Sequence, residues 1–344
     1  MEKALAKRHP RENTRAFRNS LIKWFQSNGK PHPWRQTRDP WAVLVSEIML
    51  QQTTVASVLA NRRFEKFLEE FPDLQTIADA PEEQILRAWE GLGYYNRVRN
   101  LQKAARAVLA HFNGEFPSDP ATLESLPGIG RYTAGAVSSF AFDQAAPIVD
   151  GNIARVLSRL FNFREAIDST PGQTFSWKTA TSLLDPRHPR IFNSALMELG
   201  QTLCIPKKPG CLLCPVRDFC QTRDPETLPV KKPRRQFVSV EEHALLWVRN
   251  GEILLSPGHD TRRRGFWKLP LRSAEACAHL EVDSIHRYVI THHKVTLLLY
   301  RHKPQKLRPG ERYHRLDQLD RLPLATPIRK ILTQFRGSLD QPEP

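Results

Sequence analysis

Long apolar runs and cysteines are scarce in this sequence. No stretch of eighteen consecutive apolar residues occurs, and the N-terminal MEKALAKRHPREN contains no apolar segment typical of secretory signals. Five cysteines among 344 residues are too few for the disulfide framework of a small secreted protein. We therefore expect an intracellular protein with no membrane partner.

Acidic residues are also few relative to basic ones. The 36 Asp and Glu residues are outnumbered by 51 Lys and Arg, which gives a formal net charge of +15. An excess this large indicates a polyanionic partner, either nucleic acid or an anionic membrane. Membrane binding would need a basic amphipathic helix beside a lipid anchor or an apolar span, so the composition favours nucleic acid.

The pattern of apolar residues divides the chain in two, as its length also suggests. Residues from about 14 to 222 show helical spacing with short Pro/Gly breaks, and the Pro-rich basic segment 224–236 is predicted to be a linker. Beyond it, 243–256 indicates two strands around Arg249-Asn250-Gly251, 294–302 another strand and 327–337 a helix. We predict a mainly α fold, with a helical domain at 1–223 and a small α+β domain at 237–344.

A glutamate interrupts an apolar helical segment. The neighbours of Glu47 within three positions would cover nearly the whole circumference of a helix: Leu44, Val45, Ile48, Met49 and Leu50. Asp39-Pro40 is typical of the N-cap and first position of such a helix. Burial of a charged carboxylate is unfavourable unless it is paired or protonated, so we expect apolar surroundings to raise the pKa of Glu47.

Four cysteines lie close together, at Cys204, Cys211, Cys214 and Cys220, whereas Cys277 is isolated. Clustered thiols in an intracellular protein indicate a metal site. Zinc is one candidate, although zinc sites usually show two short Cys-x2–4-Cys pairs and this segment has one.

Two further segments each allow a functional and an ordinary reading. In LPGIGRYTAGA, Gly128 and Gly130 predict a tight turn before a helix whose N-terminus, with Arg131, could bind an anion. Taken by itself, the Pro-Gly-x-Gly segment favours an ordinary turn. Asp150 precedes another predicted helix and could be a simple N-cap. We expect the helix N–H groups to hold its carboxylate ionised.

These motifs together resemble a known family. The cysteine spacing resembles the [4Fe-4S] loop of the endonuclease III superfamily, and LPGIGRYTAGA resembles its helix-hairpin-helix, which grips a DNA phosphate and often holds a monovalent cation. Asp150 follows in the position of the superfamily's catalytic aspartate. Residues from about 14 to 222 are similar to the MutY family of adenine DNA glycosylases, which implies a two-lobed helix-hairpin-helix domain acting on adenine opposite 8-oxoguanine or guanine.

The resemblance implies roles for single residues. Tyr132 occupies the position of the Schiff-base lysine of endonuclease III, which implies a monofunctional glycosylase. Glu47 matches the adenine-protonating glutamate, and Asn152 and Tyr132 are expected to orient the two carboxyls. The remaining matches are of two kinds. Trp34, Arg35 and Glu198 match positions that hold the base, and Gln52 and Tyr94 match positions that enter the duplex.

Residues 237–344 resemble, over fewer positions, the Nudix-like domain that recognises 8-oxoguanine in this family. Gly265-Phe266-Trp267-Lys268-Leu269-Pro270 matches its Gly-x-Trp-x-x-Pro segment, but no Glu-rich Nudix box follows. Ile290-Thr291-His292 stands in place of the family's Phe-Ser-His, so Thr291 and His292 keep the hydroxyl and the imidazole while the aromatic ring is absent.

The chemistry implied by the resemblance requires two different carboxyls. Adenine leaves readily only when protonated, and its departure produces a cationic sugar, so one carboxyl must stay protonated near neutral pH and another charged. The expected partner is double-stranded DNA containing A:8-oxoguanine or A:G pairs, bound by a monomer in the cytoplasm, at the bacterial nucleoid or elsewhere in the cell. The alternatives are a thymine or uracil mismatch glycosylase and a non-catalytic Fe–S protein that binds DNA lesions.

Overall fold

The structure is a computed structural model that describes residues 8–233, 236–258, 265–290 and 292–339. These residues form two compact units. The first unit contains the described residues up to 78 together with 100–233, and the second contains 79–99 together with the described residues from 236 onward. Nothing in the sequence pattern linked residues 79–99 to the C-terminal region, and the domain boundaries given above stay predictions.

The predicted helical character of the first two thirds of the chain is confirmed. The helices in chain order are α1 (Thr14–Asn28), α2 (Pro33–Gln36), α3 (Pro40–Leu50), α4 (Val55–Leu59), α5 (Arg63–Glu70), α6 (Leu74–Asp79), α7 (Glu82–Ala88), α8 (Asn96–Phe112), α9 (Pro120–Glu124), α10 (Arg131–Phe142), α11 (Gly151–Leu160), α12 (Thr170–Leu183) and α13 (Pro189–Thr202). Short 3₁₀ turns follow at Cys211–Leu213, Arg217–Phe219 and Pro225–Thr227. None of the helices in the described ranges has the length and apolar character needed to span a bilayer.

Helix α3 is buried on nearly all sides, as its apolar pattern predicted. Every residue from Trp41 to Met49 is buried, Glu47 included. The helix begins as expected, because the Asp39 carboxylate accepts hydrogen bonds from the backbone N–H groups of Trp41 and Ala42 at 3.1 and 3.2 Å. Two residues that the sequence singled out, Gly130 and Asp150, are the N-caps of α10 and α11.

The second unit contains two small sheets and a C-terminal helix, which confirms the predicted α+β region. Its elements from residue 238 onward are β1 (Val238–Leu246), β2 (Val248–Arg249), β3 (Glu252–Pro257), β4 (Trp267–Lys268), β5 (Leu271–Arg272), α14 (Ala274–Cys277), β6 (Ser284–Ile290), β7 (His293–Arg301), β8 (Arg312–Arg315) and α15 (Thr326–Leu339). One sheet has the order β5-β1-β7-β6, with β1 parallel to β7. The other has the order β2-β3-β4, and β8 also pairs with β3.

The predicted hairpin is present, but its first strand is divided. Arg249 pairs with Glu252 across Asn250-Gly251, whose positive φ angles of 47° and 71° suit a two-residue hairpin turn. Of the two segments β1 and β2, only β2 pairs with β3, whereas β1 pairs with β5 and β7 in the other sheet. A continuous apolar run does not reveal such a change of partner, because both sheets bury the same residue types.

We predict that Asp39→Ala lowers the free energy of unfolding of the first unit by about 1 kcal/mol, because two backbone N–H groups lose their side-chain acceptor. Asp39→Asn keeps an acceptor at the same place and is the matched control. Urea denaturation followed by circular dichroism measures both variants. Equal midpoints for Asp39→Ala and wild type would show that the cap does not stabilise α3.

Candidate active site

Three helices bring the predicted catalytic side chains to one cleft in the first unit. Glu47 lies on α3, Tyr132 on the first turn of α10, and Asp150 and Asn152 at the start of α11. All four line a cleft with a cavity volume of about 850 Å³, and Gln52 lines it as well. This volume lies within the range of small-molecule binding sites.

Glu47 is a buried carboxyl with one short hydrogen bond in the part of the chain that the structure describes. Its side chain is 3% exposed, and the Tyr132 hydroxyl donates to its Oε2 at 2.8 Å. Burial raises the pKa of Glu47 to about 7, and the charge of Asp150 acts in the same direction, against the hydrogen bond from Tyr132 and the charge of Arg35. The pKa of this carboxyl is therefore raised toward neutral pH, as its apolar neighbours predicted.

Tyr132 stays a hydrogen-bond donor across the physiological range. Burial raises the pKa of its phenol well above the ordinary value, and the negative charges of Glu47 and Asp150 raise it further. The hydroxyl therefore keeps its proton and can support the ionised form of Glu47. The Sδ atom of Met197 lies 4.0 Å from the same hydroxyl and closes the cleft beside it.

Asp150 combines a structural role with a place in the cleft. As the N-cap of α11, its carboxylate accepts hydrogen bonds from the Ile153 N–H at 2.7 Å and the Asn152 amide at 2.9 Å. We expected such donors to hold it ionised, and they do lower its pKa. The net shift is nevertheless upward, because burial outweighs the donors and the charge of Arg155.

A small pocket next to Glu47 is lined by residues of the His32-Pro33-Trp34-Arg35 segment. Trp34 is buried and stacks on His32 with ring centroids 4.9 Å apart. The Arg35 guanidinium pairs with Glu198 Oε2 at 2.6 Å. Glu198 is fully buried, and its Oε1 has no hydrogen-bond partner among the described residues. The structure thus brings Arg35 and Glu198 together, with Arg35 facing the pocket.

Two supporting arginines had no signal in the sequence. Arg190 donates to the backbone carbonyls of Arg35 at 2.7 Å and Thr37 at 2.8 Å, and so fixes α2 beside the pocket. Arg155 donates to Asn152 Oδ1 at 3.1 Å and to the carbonyl of Cys204 at 2.8 Å. In a chain this basic, neither arginine could be distinguished from an ordinary surface charge.

The tight glycine turn that the sequence predicted before α10 is present, and it packs closely at Gly128. Gly128 has φ of 75°, and a Cβ there would lie 2.4 Å from Cβ of Asn100. Gly130 caps the helix, and a Cβ there would meet only open space. Arg131 is exposed and its guanidinium lies 4.0 Å from the centre of the Trp177 ring. Phosphate binding by these three residues stays a prediction.

The clustered cysteines lie at one edge of the first unit's core. Cys204, Cys214 and Cys220 pack against it, and Arg159 donates to Cys204 Sγ at 3.4 Å. Burial raises the pKa of the Cys214 thiol to about 12, and the charges of the other three thiols contribute. Within the described ranges, no three His, Cys, Asp or Glu side chains meet closely enough to hold one metal ion.

Three residues expected to meet DNA or 8-oxoguanine are among the described residues. Gln52 has φ of 52° and is exposed at the cleft. Tyr94 has φ of 49°, is 49% exposed and belongs to the second unit. His292 is exposed before β7, its ring 4.0 Å from that of His293. Thr291 lies outside the described residues, so its predicted role is untested.

We predict that Glu47→Gln stabilises the protein above pH 7. Because burial raises the pKa of Glu47 from 4.5 to about 7, its contribution to stability is present below pH 4.5 and is lost as pH rises through 7. The variant should therefore gain on the order of 3 kcal/mol relative to wild type between pH 4.5 and pH 8. Chemical denaturation at several pH values measures this, and a difference that does not change with pH would contradict the assigned pKa.

Comparison with known proteins agrees with this geometry. Residues 45–177 match the family described as HhH-GPD superfamily base excision DNA repair protein. The adenine DNA glycosylase of Homo sapiens is 44% identical over 221 residues, covering 60% of this chain and 39% of that protein. The one from Buchnera aphidicola subsp. Schizaphis graminum is 31% identical over 264 residues, covering 72% and 76%.

Solved structures share the fold of the helical region. A thermostable thymine-DNA glycosylase is 29% identical with a TM-score of 0.54, covering 61% of this chain and 96% of that one. Endonuclease III in a non-covalent DNA complex is 27% identical with a TM-score of 0.52, covering 63% and 96%. The matched region spans about two fifths of the length of the mammalian relatives. The Buchnera aphidicola subsp. Schizaphis graminum protein is 31% identical to this chain, which covers about three quarters of it. The chain therefore belongs to the adenine DNA glycosylase family of the HhH-GPD superfamily.

Proposed function

We propose that this chain is a monofunctional DNA glycosylase that hydrolyses the N-glycosidic bond of adenine opposite 8-oxoguanine or guanine. The observation that carries the proposal is a buried carboxyl with a pKa of about 7, Glu47, in one cleft with a second carboxyl, Asp150. A reaction that protonates a leaving base and forms a cationic sugar needs one acid and one anion. The names of the curated relatives support adenine as the base.

The reaction begins with extrusion of the adenine nucleotide into the cleft, because its glycosidic bond is inaccessible in the stacked duplex. Glu47 gives its proton to a ring nitrogen of adenine, and the resulting carboxylate then helps to activate water. Asp150 stabilises the cationic sugar or forms a transient ester with it. Tyr132 and Asn152 hold these two carboxyls through the hydrogen bonds described above.

The base itself is held beside Glu47. The pocket lined by Trp34 and Arg35 adjoins Glu47, and the Arg35–Glu198 pair fixes the guanidinium that faces it. Tyr132 offers no amine, so no imine can form between this position and the sugar, and strand cleavage by that route is absent. The product is then an intact strand with an abasic site.

Contacts with the duplex come from several segments. In this proposal the backbone N–H groups at Gly128 and Gly130, with Arg131, bind a phosphate, with a monovalent cation at the same turn. Gln52 and Tyr94 enter the duplex beside the lesion. Thr291 and His292 recognise 8-oxoguanine in the opposite strand, and one chain acts as a monomer. The positive charge of the sequence supports binding to DNA.

The four clustered cysteines would hold a [4Fe-4S] cluster. An all-thiolate donor set suits iron–sulfur clusters, and three of the four thiols pack together against the core of the first unit. When bound, the cluster supplies a covalent cross-link of Cys204, Cys211, Cys214 and Cys220. Arg159 then joins this loop to α11, because it donates to Cys204 Sγ and to the carbonyls of Ile205 and Pro206.

We predict that the anaerobically purified protein contains about four iron and four acid-labile sulfide per chain. Cys214→Ser removes one buried thiolate and should lower both contents severalfold and bleach the visible absorption. Cys277→Ser is the matched control, since Cys277 lies in the second unit and is isolated from the other thiols. Bound zinc without sulfide would identify a zinc site instead.

We predict that Glu47→Gln and Asp150→Asn each lower the single-turnover rate of adenine release by about 100-fold or more, because each removes one of two carboxyls that act in the transition state. The substrate is an A:8-oxoguanine duplex. A variant that keeps a near-normal rate would show that its residue is not catalytic.

The same assay on A:G, T:G and U:G duplexes separates the alternatives. The similarity to a thymine-DNA glycosylase makes thymine the second candidate base. We expect release of adenine and no release of thymine or uracil. Thymine or uracil release would favour the mismatch glycosylase, whereas tight binding of every duplex with no base released would favour a non-catalytic lesion-binding protein.

A further inference from the structure

The loop that carries Tyr94 has an unusual backbone. Gly91, Gly93 and Tyr94 all have positive φ, at 85°, 67° and 49°. This conformation is easy for glycine but unfavourable for a bulky aromatic residue, so it persists only where the surroundings impose it. The Tyr94 side chain is nevertheless 49% exposed, so its own packing cannot account for the conformation.

One set of contacts that fixes the loop is local. Trp89 is fully buried, and its indole N–H donates to the Gly93 carbonyl at 3.3 Å. Arg97 donates to the carbonyls of Leu92 at 2.9 Å and Gly93 at 3.1 Å. Its guanidinium also lies 5.7 Å from the centre of the Tyr94 ring. These contacts set the path of the chain up to Tyr94.

The second set comes from the C-terminal part of the same unit. The ring of Tyr95 lies 4.1 Å from that of Phe266, centroid to centroid. Arg329 on α15 forms a bidentate pair with Glu90, just before the loop. Gly265 packs so closely that a Cβ would lie 3.0 Å from Leu86 on α7. The loop is therefore held on both sides by residues distant in sequence.

We propose that the C-terminal region positions Tyr94, with Phe266 and Arg329 as positioning residues that act through Tyr95 and Glu90. The inference rests on the proposed function, in which Tyr94 enters the duplex beside the lesion. It gives the C-terminal region a second contribution besides recognition of the opposite base: it holds the aromatic residue in the conformation that enters the base stack. Without these contacts the strained loop relaxes, and the Tyr94 ring enters the base stack less often.

The test uses fluorescence of 2-aminopurine placed beside an A:8-oxoguanine pair, because this base brightens when it is unstacked. Phe266→Leu removes the ring contact with Tyr95, Glu90→Gln removes the charge that pairs with Arg329, and both leave Tyr94 in place. We expect each of them, and Tyr94→Ala, to lower the fluorescence rise on binding by about fivefold at saturating protein. Arg315→Met is the matched control, since it removes an ion pair of the same unit that is exposed, Arg315–Asp317 at 2.7 Å.

The double variant Phe266→Leu with Tyr94→Ala distinguishes positioning from a general loss of structure. We expect it to match Tyr94→Ala alone, because Phe266 acts through the loop that presents Tyr94. Additive losses, or wild-type fluorescence in both Phe266→Leu and Glu90→Gln, would overturn the inference. The fluorescence rise requires no bond cleavage, so failure of the wild-type chain to release adenine would refute the proposed function separately.

Discussion

Burial of the Glu47 carboxyl is the constraint on which the rest of the site depends. Helix α3 surrounds this residue with apolar side chains, and burial raises its pKa to about 7. A structural carboxyl in such a place would only destabilise the fold, unless a partner compensated it. Here the Tyr132 hydroxyl donates one hydrogen bond to the carboxyl, which partly offsets the effect of burial and leaves the pKa near neutral pH. Such a group can deliver a proton and later accept one, which is the role that the proposed mechanism gives to Glu47.

Asp150 shows how a second carboxyl in the same cleft has a different environment. Burial raises its pKa too, but the Ile153 N–H and the Asn152 amide oppose that effect. Within the part of the chain that the structure describes, no backbone N–H donates to the Glu47 carboxyl, and its pKa rises to about 7. The two environments differ through secondary structure: one residue lies inside a helix whose N–H groups are already bonded, and the other caps a helix whose first N–H groups are free to donate.

The sequence was sufficient for the features that depend on local pattern. The buried helix around Glu47, its cap at Asp39 and the hairpin turn at Asn250-Gly251 follow from spacing and residue type, and the structure confirms them. Features that depend on distant contacts were not predictable. Arg190 and Arg155 appear as surface charges until their carbonyl partners are known, and residues 79–99 gave no sign of joining the C-terminal region. The upward pKa shift of Asp150 was missed because the extent of its burial is a tertiary property.

The most direct test of the central claim is an infrared titration of the Glu47 carboxyl. Difference spectra between wild type with ¹³C-labelled glutamate and the Glu47→Gln variant isolate the protonated carboxyl band, which is followed across pH. The account predicts that this band disappears as pH rises, with a midpoint near the pKa of about 7 that burial imposes. A midpoint near the ordinary value of 4.5 would show that Glu47 is ionised at neutral pH, and the assignment of this residue as the acid would then be wrong.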